Sequence, residues 1–159
     1  MNAKPPVDKE KLKEVVEADS ILVAKDILVD LYESSKKLLK FVGGFLYNVS
    51  KKAGKMMARR LMERGLMTRD TCLDVLAESF VISGYAEEVS IEGDRIKMKG
   101  TIFGSRMKGE KKPVDTPIAG FIAGWVEECT GKRVKVVEEK CIAKGDECCV
   151  FRIQGSRWF

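Results

Sequence analysis

The stretch GFIAGWVEECTGKRVKVVEEKCIAKGDECCVF, residues 120–151, changes its hydrophobic period partway along. Phe121, Ile122, Trp125 and Cys129 recur at helical spacing and continue a stripe that begins at Ile118. Asp115-Thr116-Pro117 opens this helix, with Thr116 as the capping residue and Pro at the first helical position. Ala119, Gly120, Ala123 and Gly124 form a second, small-residue face that lets another element approach closely, and Gly131 ends the helix. After Gly131 the period falls to two, and strands are expected around residues 133–139 and 148–154.

Alternate residues of a strand share a face. Val134, Val136 and Glu138 fall on one side, with Arg133, Lys135, Val137 and Glu139 on the other. The apolar side turns inward and takes Glu138 with it. In the second strand Cys149, Phe151 and Ile153 turn inward, while Cys148 turns outward. Gly145-Asp146 supplies a turn, so a hairpin brings Glu138, Cys141 and Cys149 together. Three readings compete for this cluster: a disulfide, buried structural thiols, or a metal site. An inward carboxylate is costly unless it is paired or bound to a cation. A divalent metal accounts for the carboxylate and both thiols at once, with zinc first among the candidates and Asp115 as a candidate fourth ligand. Buried structural cysteine is common, so the spacing leaves the second reading open.

Working back toward the N-terminus, Gly93-Asp94 joins two short alternating runs, Val89 and Ile91 before it, Ile96 and Met98 after it, which predicts a hairpin over residues 87–102. Residues 105–113, SRMKGEKKP, read as a polar, basic, mobile loop without a nucleic-acid-reading motif. From Asp26 to Leu61 apolar residues recur at helical spacing, with Gly43-Gly44 expected to divide two helices and Gly65 to end the second. Thr68 is the expected cap of a third helix, with Leu73, Leu76, Ala77 and Phe80 inward and Gly84 closing it. SILVAK, residues 20–25, reads as a short strand. The expected fold is α+β, several N-terminal helices packed on a small antiparallel sheet. Residues 1–18 form a charged arm or short helix and residues 19–159 a single ligand-binding domain.

The chain has 159 residues, enough for one core without staples. Its net charge of +5 is too mild to demand an anionic partner, and no direct nucleic-acid contact is expected. No apolar run has the length of a signal peptide core or a membrane span, so a cytoplasmic, membrane-free protein is expected. Thiols stay reduced there, and five cysteines cannot all pair, which argues against the disulfide. The chain has no histidine, so any metal must be held by thiolates and carboxylates. The excess of apolar positions before residue 65, among them Met56, Met57, Leu61 and Met62, predicts a homodimer built on those helices.

Residues 115–151 resemble the 4-vinyl reductase domain family. The shared pattern is a glycine-spaced helix, a strand ending in Glu-x-x-Cys, then Gly-Asp and a Cys-x-Phe strand. That family includes sensor domains of phenol- and xylene-responsive activators, and its fold is shared with TRAPP trafficking-complex subunits that hold an acyl chain. The resemblance implies a dimeric α+β domain with a hydrophobic pocket between helices and sheet. It also implies a zinc near the pocket, carried here by Glu138, Cys141 and Cys149. The family's remaining ligand is a cysteine five residues before the first helix glycine. Here that position is Asp115, which either binds the metal or leaves the place to water.

A binding module is the leading reading: a zinc-binding regulatory sensor of an apolar small molecule, its pocket lined by residues such as Tyr32, Phe45, Met56, Phe80 and Trp125. Any output is expected to pass through a separate protein, since no DNA-binding or ATPase motif is present. The alternatives are a tetrapyrrole vinyl reductase or carrier, and a zinc-thiolate redox switch in which Lys140 and Lys144 lower a thiol pKa. The absence of a nicotinamide or flavin fingerprint and of histidine weighs against an enzyme.

Overall fold

In a computed structural model the described residues, 4–155, form five helices and four strands. These are α1 (Lys9–Ala18), α2 (Lys25–Leu38), α3 (Val42–Glu63), α4 (Cys72–Ile82), β1 (Glu88–Glu92), β2 (Arg95–Lys99), α5 (Thr116–Thr130), β3 (Lys135–Lys140) and β4 (Cys149–Gln154). Met1 to Ala3 of the expected arm and residues 156–159 of the expected domain lie outside the described residues. The strands form one antiparallel sheet in the order β1-β2-β4-β3. The chain therefore leaves the first hairpin, runs through α5, and returns so that β4 inserts beside β2. This is the expected α+β architecture of helices on a small antiparallel sheet.

The sheet's inner face follows the period-two pattern. Ile96 pairs with Phe151, Met98 with Cys149, and Val136 with Ile153, and all six are buried. Val134, Val136 and Glu138 are buried while Lys135 and Glu139 are exposed, as the parity predicts. Val150 departs from it. It is buried on the outer face, where its cross-strand neighbours are Lys97 and Lys140, whose aliphatic stems cover apolar neighbours.

α5 packs on β3, and α3 packs along α5. The small-residue face explains how close that second packing is. A Cβ at Gly120 or Gly124 would collide with the backbone carbonyl of Tyr47 or Lys51 on α3, and one at Gly54 with that of Phe121. Two backbones in van der Waals contact leave no room for a side chain, so these glycines are a steric requirement.

Several local expectations shift. Residues 20–24 form no strand: Ile21 and Leu22 are exposed, and no sheet edge pairs with them. The break between α2 and α3 falls at residues 39–41, so Gly43-Gly44 lies within the first turn of α3. α4 begins after Thr71, because Thr71 Oγ1 takes the backbone N–H of Thr68 (3.0 Å) in a preceding turn. The loop at 105–113 is tied down: Met107 is buried, and Gly109 and Glu110 donate to the carbonyl of Ala143 at 3.0 Å. Of the apolar excess on α3, Leu61 enters the core and Met56 is 62% exposed. No described helix is long and apolar enough to cross a membrane.

Candidate metal centre and ligand pocket

Asp115, Glu138, Cys141 and Cys149 each offer one ligand atom, and these atoms lie within 4.8 Å of one another. All four residues are buried, Asp115, Cys141 and Cys149 completely. Each is positioned by a different element. Asp115 precedes α5, Glu138 is the inward residue of β3, Cys141 lies just past the bulge between Glu138 and Lys140, and Cys149 opens β4. The residues picked from the sequence are thus the residues brought together.

Asp115 shows what the cluster demands of the backbone. It stands at the N-cap of α5, yet its side chain makes no capping bond. Its carboxylate instead accepts from Thr101 Oγ1 (2.9 Å), the Gly104 N–H (3.3 Å) and Cys149 Sγ (3.1 Å). Thr116, expected to cap, is the first helical residue, and its Oγ1 meets the Tyr32 hydroxyl at 3.1 Å. The Asp115 N–H donates to Glu138 Oε2 at 2.9 Å. Glu138 Oε1, buried like the rest, has no hydrogen-bond partner among the described residues.

The electrostatics are those of a site short of positive charge. No Lys or Arg among the described residues forms an ion pair with Asp115 or Glu138. Burial pushes Glu138 up to about 10, and the neighbouring Asp115 carboxylate and Cys141 add to the shift. Burial also raises Asp115 against the hydrogen bonds it accepts from Cys149 and Thr101. Cys149 is raised by its contact with Cys141 and by burial. Cys141 is lowered to about 5, first by that same contact, against burial, and then by Glu138 and the backbone at Val114 and Ala143. The Ile142 N–H also points at Cys149 Sγ (3.3 Å), and the Cys141 N–H is held by Asp146 Oδ2 (2.8 Å). The donor set of two sulfurs and two carboxylates suits a thiophilic divalent ion such as zinc, and an orphaned, buried carboxylate oxygen is an atom that such an ion would engage.

Thr101 and Gly104 complete the site, and the sequence reading missed both. Gly104 has no positive φ to account for it; a Cβ there would press on Asp115 Oδ2 and Cys149 Sγ. A threonine and a glycine after a strand look like any loop, so nothing local marks them.

Beside the cluster lies a cavity of about 550 Å³, within the size range of small-molecule sites. Tyr32, Phe45 and Phe80 line it as expected, with Leu28, Met57 and Phe121 among the residues added. Met56 and Trp125 do not line it. Met56 faces solvent, and Trp125 is fully buried with its indole N–H on the Cys72 carbonyl (3.0 Å). The cavity and the cluster share a wall. Phe103 and Pro117 line the cavity, one residue from Gly104 and two from Asp115, and the Phe103 ring meets Tyr32 edge-on at 5.3 Å.

The 4-vinyl reductase domain family matches residues 94–154, which contain all four clustered residues and most of the segment whose pattern carried the resemblance. No curated protein matches the chain by sequence. Among solved structures, the chain is similar to a vinyl-4-reductase family protein from Methanocaldococcus jannaschii, with 19% identity over 97% of this chain and 98% of that one and a TM-score of 0.64. It is similar to the phenol-responsive sensory domain of the transcription activator PoxR, solved with phenol, at 14% identity over 93% and 90% and a TM-score of 0.74. It is also similar to a trafficking protein particle complex subunit 3 from Naegleria fowleri covalently bound to palmitic acid, at 17% identity over 82% and 93% and a TM-score of 0.58. At such identities the likeness shows a common fold.

Proposed function

We propose, taking residues 94–154 as a 4-vinyl reductase domain, that this protein is a regulatory domain that binds an apolar small molecule and is stabilised by one zinc ion. The observation that carries the binding reading is the 550 Å³ cavity, walled by aliphatic and aromatic side chains. A cavity of that size would ordinarily collapse or be filled by core side chains. The kinship in fold with a phenol-responsive sensory domain supports the same reading.

Asp115, Glu138, Cys141 and Cys149 would hold the zinc. The ion would supply the positive charge that this buried cluster lacks. With four protein donors its role is structural or regulatory, since no position is left for a reacting water. Cys141, its proton held loosely, and the N–H groups directed at Cys149 favour the thiolate forms that a metal requires.

The second copy proposed for a homodimer would sit on α2 and α3. Ile27, Leu31, Leu38, Phe41, Phe45 and Met56 are each at least 60% exposed there. Leu31 and Phe45 also line the cavity, so a partner at this face would cover its mouth.

The test is Nile red binding to protein purified without chelator, with elemental analysis on the same sample. One neutral dye per chain is expected, lost in Leu28→Trp, which fills the cavity, together with one zinc per chain. Undiminished dye binding in that variant would place the dye on the surface and remove the pocket reading. Sedimentation as a concentration-independent monomer would remove the dimer.

A further inference from the structure

The cavity wall contains seven hydroxyl side chains and no charged residue. Their hydrogen bonds sort them. Ser20, Ser35, Ser79 and Ser83 each donate to a carbonyl three or four residues back, on Val16, Leu31, Val75 and Phe80. Tyr32 is engaged with Thr116. Ser50 and Tyr85 have no side-chain partner among the described residues. These two are not equivalent. Ser50 sits inside α3 and reaches a carbonyl one turn back by rotating χ1, as the other serines do. A tyrosine hydroxyl stands too far from its own backbone for that.

Tyr85 is also held rigidly. Its N–H donates to the Phe80 carbonyl and its carbonyl accepts from the Ile102 N–H, both at 3.0 Å. Its ring rests edge-on against Phe80 at 6.4 Å. A fixed phenol in an apolar wall is a preorganised hydrogen-bonding group.

We propose that Tyr85 is the specificity-determining residue of the cavity, and that the ligand is an uncharged apolar molecule with a hydroxyl or carbonyl group that hydrogen-bonds the Tyr85 hydroxyl. The proposal rests on the reading of the cavity as a ligand site and narrows its chemistry. A carboxylate is disfavoured because the wall offers no cation to meet it. Lys36, near the mouth, is already paired with Glu110 at 2.7 Å. A thioester-linked acyl chain has no attachment point, since no cysteine lines the cavity.

Equilibrium dialysis with naphthalene, 2-naphthol and 2-naphthoate separates these statements, using the wild-type chain, Tyr85→Phe and Ser50→Ala. The wild-type protein should bind 2-naphthol about fivefold tighter than naphthalene, the value of one net hydrogen bond. It should bind 2-naphthoate more weakly than either. Tyr85→Phe should abolish the preference for naphthol and leave naphthalene binding unchanged, while Ser50→Ala should keep the preference. Equal binding of naphthol and naphthalene, a preference that survives in Tyr85→Phe or disappears in Ser50→Ala, or binding of the carboxylate as tight as that of the alcohol would overturn the proposal and leave the ligand site standing. Failure of the wild-type protein to bind any of the three would remove both.

Discussion

Two buried carboxylate sites adjoin the same helix and are treated in opposite ways. Toward the C-terminal end of α5, Glu127 is 7% exposed. Lys51 and Lys55 reach it from α3 at 2.6 and 2.8 Å, and the Val134 N–H donates at 3.1 Å. Burial raises its pKa, but the two lysines and the amide outweigh burial and leave it below the usual value. At the N-terminal end, Asp115 and Glu138 are as deeply buried, have no lysine, and are shifted upward. The chain thus equips a permanently buried carboxylate with cations where it needs one. Around Asp115 and Glu138 it places two thiols instead. Thiols do not neutralise carboxylates; all four together are metal ligands. That contrast is the physical argument for an ion at one end of α5 and none at the other.

The largest effect that would break the comparison comes from Cys141→Ser. It should lose the metal by elemental analysis and lower unfolding stability by about 3–5 kcal/mol, the range for a buried charge that loses its partner. Full metal content in this variant would show that the cluster is not the site. Glu127→Gln should cost roughly 1–3 kcal/mol in urea unfolding and leave metal content unchanged. Glu127 has a lowered folded pKa, so its contribution is present above its unfolded value of 4.5 and is lost as pH falls through the lower folded value. The stability of Glu127→Gln should accordingly fall less steeply than that of the wild type below pH 4.5. Tyr32→Phe, which removes the bond between α2 and Thr116, should cost about 0.5–1.5 kcal/mol and retain the metal. Cys148→Ser should be within about 0.5 kcal/mol of wild type with full metal content. Metal loss there equal to that in Cys141→Ser would mean that strand parity chose the wrong cysteine.

Where the pattern is strongly periodic, the sequence was legible. The two hairpins, the inward turn of Glu138 and Cys149, and the close approach of another helix to Gly120 and Gly124 could all be read from spacing. A strand's parity depends only on which face is apolar, and a glycine-lined helix face has little other use. The misread positions are those where local signals compete. Ile21 and Leu22 have strand propensity but no edge to pair with. Thr68 and Thr71 are both good caps, and the turn between them selects the second. Thr116 is a good cap, displaced by one residue because Asp115 is drawn toward Cys149 and Thr101.

From sequence alone followed the α+β class, the four converging residues, and the argument that their charges require a counterpart. Only the tertiary structure decided which apolar residues line a cavity and which fill the core. Phe80 and Trp125 are alike in type and both buried, yet Phe80 faces the cavity while Trp125 is locked against Cys72. Likewise only the fold brings Thr101 and Gly104 to Asp115 and leaves Tyr85 without a partner. Periodicity reports which face of an element is buried. What that face meets depends on contacts between residues far apart in the chain, and no local pattern encodes them.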